Sequence, residues 1–237
     1  MNDCLFIFVL VLVSFTKITL LLITGDSAGG NLAAVVSLRL RDEKFPIRIK
    51  LQVLIYPVTQ CLDFNLPSML LYRDGPLVNR AIITFFMGMY IDGNEDNTDA
   101  YYDNRHVTKS YRQNIAKTFM NLEKLPKEFL SGYVQPDFPV GDDKLWNEIK
   151  GKLLHPYCSP LAADNLENLP DAYVFTVTCD PLRDEAWLYA IRLKEAKNKV
   201  TIYNAENGFH GVISFIGQFP EAKPMFAEIT KFISDNL

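Results

Sequence analysis

The sequence predicts an α/β fold with a mostly parallel sheet of about four strands and a helical insertion. Three observations predict it. The run Gly25-Asp26-Ser27-Ala28-Gly29 sits between an apolar, β-branched stretch (Ile18 to Ile23) and a helix-like stretch (Leu32 to Leu38), the strand–turn–helix setting of a G-x-S-x-G elbow. Three further apolar runs follow, and a helix-forming stretch separates the last two, as a parallel sheet with helical crossovers requires. Residues 62 to about 160 break this rhythm with prolines and glycines, among them Pro67, Gly75, Pro76, Pro126, Pro136, Pro139 and Pro156, between polar loops.

The elbow comes first. A sharp strand-to-helix turn crowds the backbone, and Gly25 and Gly29 bring no Cβ into it. Ser27 is held at the apex, and the N-terminus of the following helix offers the Ala28 N–H to a developing negative charge. The second strand is Ile47 to Tyr56, alternating at first and then continuously apolar, closed by Pro57. In the insertion the spacing predicts helices over 79–91 and roughly 109–121. The apolar stretch Ala81 to Tyr90 is expected to pack onto the core; lining an acyl pocket and facing a membrane surface are the alternatives. A third strand runs from Ala172 to Thr178 and a helix from Leu182 to Lys197. The fourth strand is Val200 to Tyr203, with Asn204 to Gly208 as its terminating loop. Phe226, Ile229, Phe232, Ile233 and Leu237 recur at spacings of three and four, which predicts an amphipathic closing helix.

The totals exclude several functions. A chain of 237 residues with 49% hydrophobic and 22% charged residues is ordinary globular material, and a net charge of −4 gives no basic surface for nucleic acid. Cys4, Cys61, Cys158 and Cys179 are far apart in sequence and form no C-x-x-C pair, so neither a zinc site nor a dense disulfide framework is expected. The sequence contains no N-x-S/T acceptor. Asp92 to Asp103 approaches a calcium loop, but it carries Asn97 where glycine is needed and Asp103 in place of a bidentate glutamate, so it reads as an acidic surface turn.

A hydroxyl becomes a useful nucleophile when a histidine takes its proton and a carboxylate orients that histidine. Of His106, His155 and His210, only His210 follows the last strand; the other two lie in the insertion. Asp180 directly follows the third strand. Strand ends on one edge of a parallel sheet meet at a common crevice, so Ser27, Asp180 and His210 are predicted to converge in the order Ser, Asp, His. Asp184 and Glu185 compete with Asp180 and read as the acidic first turn of the next helix.

The runs Gly25 to Asn31, Leu54-Ile55-Tyr56-Pro57, Asp180 to Glu185 and Gly208-Phe209-His210-Gly211 resemble those of the hormone-sensitive-lipase-like α/β hydrolases, and most closely those of the arylacetamide deacetylase group. The resemblance covers about Thr24 to Leu237. It implies a partial α/β-hydrolase fold with a lid insertion over about 62–160, and Ser27, Asp180 and His210 as the catalytic triad. It also implies hydrolysis of small or lipid-like esters and acetamides with no cofactor and no metal, and a lumenal catalytic domain at the endoplasmic-reticulum membrane.

Two features depart from the family pattern. No H-G-G-G run precedes Gly25, so the oxyanion is expected to meet one backbone donor, Ala28 N–H, at a cost of about 10²–10³ in rate. The strands that would flank the elbow strand are also missing, which leaves it as a hydrophobic edge. Residues 1–23 are then foreign to the family, and a truncated isoform or an N-terminally incomplete gene model is expected. The alternatives to an esterase are a catalytically impaired or non-enzymatic ligand-binding relative, and a membrane-anchored interaction protein with Cys4 to Ile23 as its anchor, a length near the ~20 residues of a bilayer span. The short run Leu5 to Val13 on its own reads as a signal-like apolar segment or a buried element.

Overall fold

The computed structural model describes residues 21–46 and 48–237. Four strands, β1 (Leu21–Asp26), β2 (Ile49–Ile55), β3 (Asp171–Cys179) and β4 (Val200–Phe209), form one sheet in the order β1-β2-β3-β4, every pair parallel. Alternation along the strands divides the core. Ile23, Leu54, Ala172 and Val174 point to one face, where they meet α1 (Ala28–Asp42) and α7 (Arg183–Glu195). Leu22, Leu51, Val53, Tyr173 and Phe175 point to the other, covered by α8 (Ala222–Asn236) through Met225 and Ile229, with the Phe232 ring stacked 4.1 Å from that of Tyr173. All the expected strand–helix crossovers are present.

The chain between β2 and β3 holds five helices: α2 (Pro67–Leu71), α3 (Arg80–Ile91), α4 (Thr98–Tyr102), α5 (Lys109–Ile115) and α6 (Asp143–Leu153). With no sheet to order it, this segment relies on buried polar residues. The Asp63 carboxylate accepts from Asn104 Nδ2 at 2.7 Å, and Asn104 Oδ1 accepts from Phe64 N at 2.9 Å. The buried Arg80 donates through Nε to Tyr102 O at 2.8 Å. Asp92 is taken up locally, its Oδ2 accepting from Asn97 Nδ2 and the Tyr101 hydroxyl, both at 3.0 Å. The stretch expected to be an acidic turn therefore contains helix α4, anchored by its first acidic residue.

Three elements differ from the sequence reading. α5 stops at Ile115, well short of residue 121, because Met120 N folds back onto Ile115 O and the Thr118 hydroxyl bonds the Asn114 and Ile115 carbonyls. α6 was not anticipated, although Asp142 caps it by accepting from Leu145 N at 3.0 Å and Leu145, Trp146, Ile149 and Leu153 form its buried stripe. β4 runs six residues beyond Tyr203. Asn204, which reads as a turn residue, stays in the ladder because its side chain pairs with the Thr176 and Thr178 hydroxyls at 3.0 and 2.9 Å, and the register shifts between Val177 and Cys179. The signal-like run Leu5 to Val13 lies outside the described residues. Leu21 to Ile23 are buried strand residues paired with β2, so a membrane span cannot extend through Ile23 as expected. No helix among the described residues is long and apolar enough to cross a membrane.

The acidic first turn of α7 also carries more than helix-end electrostatics. Asp184 and Glu185 are both wholly buried. Asp184 accepts from Ser68 N at 2.7 Å and from Arg183 Nε at 2.9 Å. Glu185 Oε1 accepts from Thr59 N at 2.7 Å and Gln60 N at 3.3 Å, and its Oε2 from Gln60 Nε2 at 2.8 Å. These bonds tie α7 to the chain leaving β2 and to α2. Burial pushes the Glu185 carboxyl up to about 8, against the pull of its three donors. Its folded value thus lies above its ordinary 4.5, so its contribution to stability is full below that value and fades as pH rises through about 8. The melting temperature is expected to fall between about pH 5 and pH 8 and to level off above, and Glu185→Gln, uncharged throughout, is expected to flatten that slope in a thermal-shift series.

Candidate active site

Ser27 occupies a backbone conformation that L-residues rarely adopt, with φ 54° and ψ −121°. Holding such a residue costs on the order of 1–3 kcal/mol. Its surroundings hold it on both sides. The Ser27 N–H donates to Ile55 O at the end of β2 at 2.9 Å, and the Ser27 carbonyl accepts from Asn31 N at 3.1 Å and Val58 N at 3.3 Å. The elbow closes so tightly that a Cβ on Gly25 would lie 2.2 Å from the Gly29 carbonyl oxygen. A Cβ on Gly30 would meet the Pro57 Cβ at 2.8 Å; the sequence reading gave Gly30 no role, and it is what lets α1 pack against the end of β2.

The three residues predicted to converge do so. His210 Nε2 lies 2.8 Å from Ser27 Oγ, and His210 Nδ1 lies 2.9 Å from Asp180 Oδ2. Each stands at the C-terminal end of its strand, the edge where a parallel sheet opens a crevice. The other Asp180 oxygen accepts from Leu182 N at 2.8 Å, which fixes the carboxylate plane. Asp180 is wholly buried and His210 nearly so. The Tyr56 ring packs 4.8 Å from the imidazole, and Tyr56 itself takes a positive φ of 34° at the end of β2. Asp26, one residue before the serine, is half-buried, and burial raises its carboxyl above the usual range while His210 opposes that rise. Asp184 and Glu185, the competing acids, are committed to Ser68, Thr59 and Gln60.

The other two histidines are occupied elsewhere. His106 is fully buried with Nε2 3.0 Å from Cys61 O, and burial pushes its pKa down to about 3. His155 Nδ1 accepts from Tyr157 N at 3.1 Å. Ala28 is the first residue of α1, and the N–H groups of a helix's first turn lack intrahelical acceptors, so its amide is free to meet a ligand oxygen beside Ser27.

A cavity of about 390 Å³ opens at Ser27 and Ala28. α3 supplies much of its wall through Ile82, Ile83, Phe86, Met87 and Met89, opposite Leu32, Val58 and Leu182. The expectation that Ala81 to Tyr90 simply packs onto the core therefore holds only for its inner face, where Ile83 and Gly88 are buried. Phe86, Met89 and Tyr90 line the cavity while remaining 44–62% exposed. Cys61 and Cys158, distant in sequence, meet in this wall with their sulfurs 3.7 Å apart. Asn31, the last residue of the elbow motif, donates through Nδ2 to Val58 O at 3.0 Å and Cys158 O at 3.1 Å, binding α1 to both segments.

The sequence matches the alpha/beta hydrolase fold family over residues 15–125 and 140–214. The chain belongs to that family. Among curated α/β-hydrolase relatives it is 36% identical over 198 residues to bovine neutral cholesterol ester hydrolase 1, covering 81% of this chain and 48% of that protein. It is 35% identical over 201 residues to bovine arylacetamide deacetylase, covering 82% of this chain and 49% of that one. The chain thus spans about half the length of the curated relatives it matches. Among solved structures, the esterase of the hyperthermophilic archaeon Pyrobaculum calidifontis superposes with a TM-score of 0.57 at 26% identity, covering 90% of this chain and 52% of that one. An alpha/beta hydrolase from the metagenome of Lake Arreo superposes with a TM-score of 0.56, also at 26% identity, covering 88% and 47%. The elbow geometry makes a direct prediction: Gly25→Ala forces the Gly29 carbonyl to move, and purified variant protein is expected to lose at least about 2 kcal/mol in chemical denaturation together with its reactivity at Ser27.

Proposed function

We propose that this chain is a serine carboxylic-ester hydrolase acting through a Ser27–His210–Asp180 triad. The observation that carries the reading is the continuous chain of contacts from Ser27 Oγ through the imidazole to Asp180 at 2.8 and 2.9 Å, set at the mouth of an apolar cavity. Ser27 Oγ attacks the acyl carbonyl carbon as its proton passes to His210 Nε2. Asp180 accepts from Nδ1–H and holds the tautomer that leaves Nε2 free. The oxygen that gains charge is met by Ala28 N–H at the positive end of α1. His210 then protonates the departing alkoxide or amine, and water, deprotonated by the same imidazole, hydrolyses the acyl-enzyme.

The substrate class follows from the cavity. Its wall of Ile82, Phe86, Met87 and Leu182 suits an aliphatic or aryl acyl group and, among the described residues, offers no charged side chain to a polar one. We assign the β2–β3 segment the role of lid, with α3 as its substrate-facing helix, and take small or lipid-like esters and acetamides as substrates, the chemistry named for the arylacetamide deacetylase and cholesterol ester hydrolase relatives. The resemblance to the deacetylase group also supports a place at the endoplasmic-reticulum membrane with the domain on the lumenal side. Retention of the protein in the pellet after carbonate extraction of membranes is the result this localisation predicts.

Incubation with a fluorophosphonate probe is expected to label wild-type protein at Ser27 and to leave Ser27→Ala unlabelled. Asp180→Asn is expected to lower kcat for a short-chain nitrophenyl ester by about 10⁴-fold with its melting temperature little changed. Labelling with wild-type turnover lower by about 10²–10³ than that of a full-length relative would mean that Ala28 N–H holds the oxyanion alone. A folded wild-type protein that resists the probe would overturn the reading.

A further inference from the structure

We infer that Cys61 and Cys158 form a redox modification site in the wall of the cavity, at which a small peroxide oxidises the two thiols to a disulfide that locks the wall beside Ser27. The effect on substrates rests on the proposed reading of that cavity as the acyl site; the cross-link itself does not.

Proximity and preorganisation carry the inference. The two sulfurs are 3.7 Å apart and 97 residues apart in sequence. Both cysteines line the cavity that Ser27 opens into. The backbone on each side of the pair is already held: Cys61 N donates to Ser159 Oγ at 3.2 Å, and Asn31 Nδ2 bonds both Cys158 O and Val58 O. The thiols therefore face each other at 3.7 Å across a junction fixed by other contacts, and a disulfide requires them to close to about 2.05 Å. The pair is also asymmetric in the way that sequential oxidation needs. The side-chain partners Cys61 and Ser159 hold the Cys158 thiol below the usual range, whereas pairing with Cys158 and complete burial push the Cys61 thiol well above it.

Access decides the oxidant. Cys61 is 1% and Cys158 7% exposed, so a reagent reaches them only through the cavity, which favours a small peroxide over a bulky disulfide. The Cys158 thiolate attacks one oxygen of hydrogen peroxide, the O–O bond breaks, and hydroxide leaves to be protonated to water, giving a sulfenic acid. The Cys61 sulfur then attacks the Cys158 sulfur. The S–O bond breaks, the Cys61 proton goes to the leaving hydroxide, and a second water departs. Two thiols have lost two electrons and two protons, and one peroxide has become two waters.

The disulfide joins the segment that leaves β2 to the segment that approaches β3. On this reading those two segments, together with α3, part to admit a long acyl chain, whereas an acetyl group needs no such movement. Oxidation thus restricts long-chain substrates and spares short ones. Met87 Sδ, 3.1 Å from Cys61 Sγ, is a competing target for peroxide, and its sulfoxide differs from the disulfide in resisting dithiothreitol.

The test uses the full chain, treated with hydrogen peroxide and then with dithiothreitol. Peptide mass spectrometry is expected to show a dithiothreitol-reversible Cys61–Cys158 cross-link that persists in Cys179→Ala and vanishes in Cys61→Ala and Cys158→Ala. Closing a loop of this length is expected to raise the melting temperature by roughly 5–10 °C, again reversibly and only where both cysteines remain. The decanoyl-to-acetyl ratio of kcat/KM on nitrophenyl esters is expected to fall about tenfold on oxidation in the wild type and to stay constant in Cys158→Ala. Absence of the cross-link overturns the site. A cross-link that leaves the substrate ratio unchanged overturns the locking of the wall. The mass and melting readouts need no turnover, so they remain decisive even if the protein hydrolyses nothing.

Discussion

The strained backbone at Ser27 is the constraint on which the rest of the site depends. A residue at φ 54° is retained only where its neighbours over-determine it. Here the amide is committed to Ile55 O and the carbonyl to Asn31 N and Val58 N, so β2, the elbow and the first turn of α1 are fixed by one residue. Gly25 supplies the space for the Gly29 carbonyl, and Gly30 the space for Pro57. The strain thereby serves geometry. It lifts the hydroxyl off the end of β1, aims it at the imidazole from β4, and leaves the Ala28 amide beside it at a helix N-terminus.

The same constraint shapes the cavity. Val58, held to the Ser27 carbonyl, begins the segment that carries Cys61, and Asn31 ties that segment to Cys158 from the far end of the β2–β3 crossover. The floor of the cavity is therefore built from the elbow outward, while its outer wall, α3, is attached through Arg80 and Ile83. A floor built from the elbow and a wall carried on a separate helix would suit the proposed acyl site, holding the carbonyl in place while tails of different length are accommodated.

Much of this was legible in the sequence. The elbow, the two flanking elements and the order Ser27, Asp180, His210 are local signals: glycine spacing, an apolar run, a residue just past a strand end. The triad could be inferred because a parallel sheet brings strand ends together whatever their separation in sequence. The misses are of another kind. Asn204 reads as a turn former, and only the Thr176 and Thr178 hydroxyls across the ladder keep it in β4. Glu185 reads as a surface acid at a helix start, and only the Thr59 and Gln60 donors, more than a hundred residues earlier, make its burial tolerable. The meeting of Cys61 with Cys158 depends on a crossover that has no regular period to read. α6 is the exception, since its capping aspartate and apolar stripe were visible.

The short run Asp180 to Glu185 shows how environment, rather than residue type, divides the work among acids. Three carboxylates within six residues are all withdrawn from water. Asp180 stands just past β3, where Leu182 N holds one oxygen and the other reaches His210. Asp184 and Glu185 have turned with the helix toward the opposite flank and hold α2 and the Thr59–Gln60 segment. The start of α7 is thus a hub: one end of the hexapeptide orients the imidazole, and the other fixes the chain that runs from Ser27's partner Val58 to Cys61. Displacing either buried anchor would move the base relative to the serine as well as loosen the cavity floor. The geometry of the proposed triad and the shape of the pocket therefore rest on the same few hydrogen bonds and cannot vary independently in this fold.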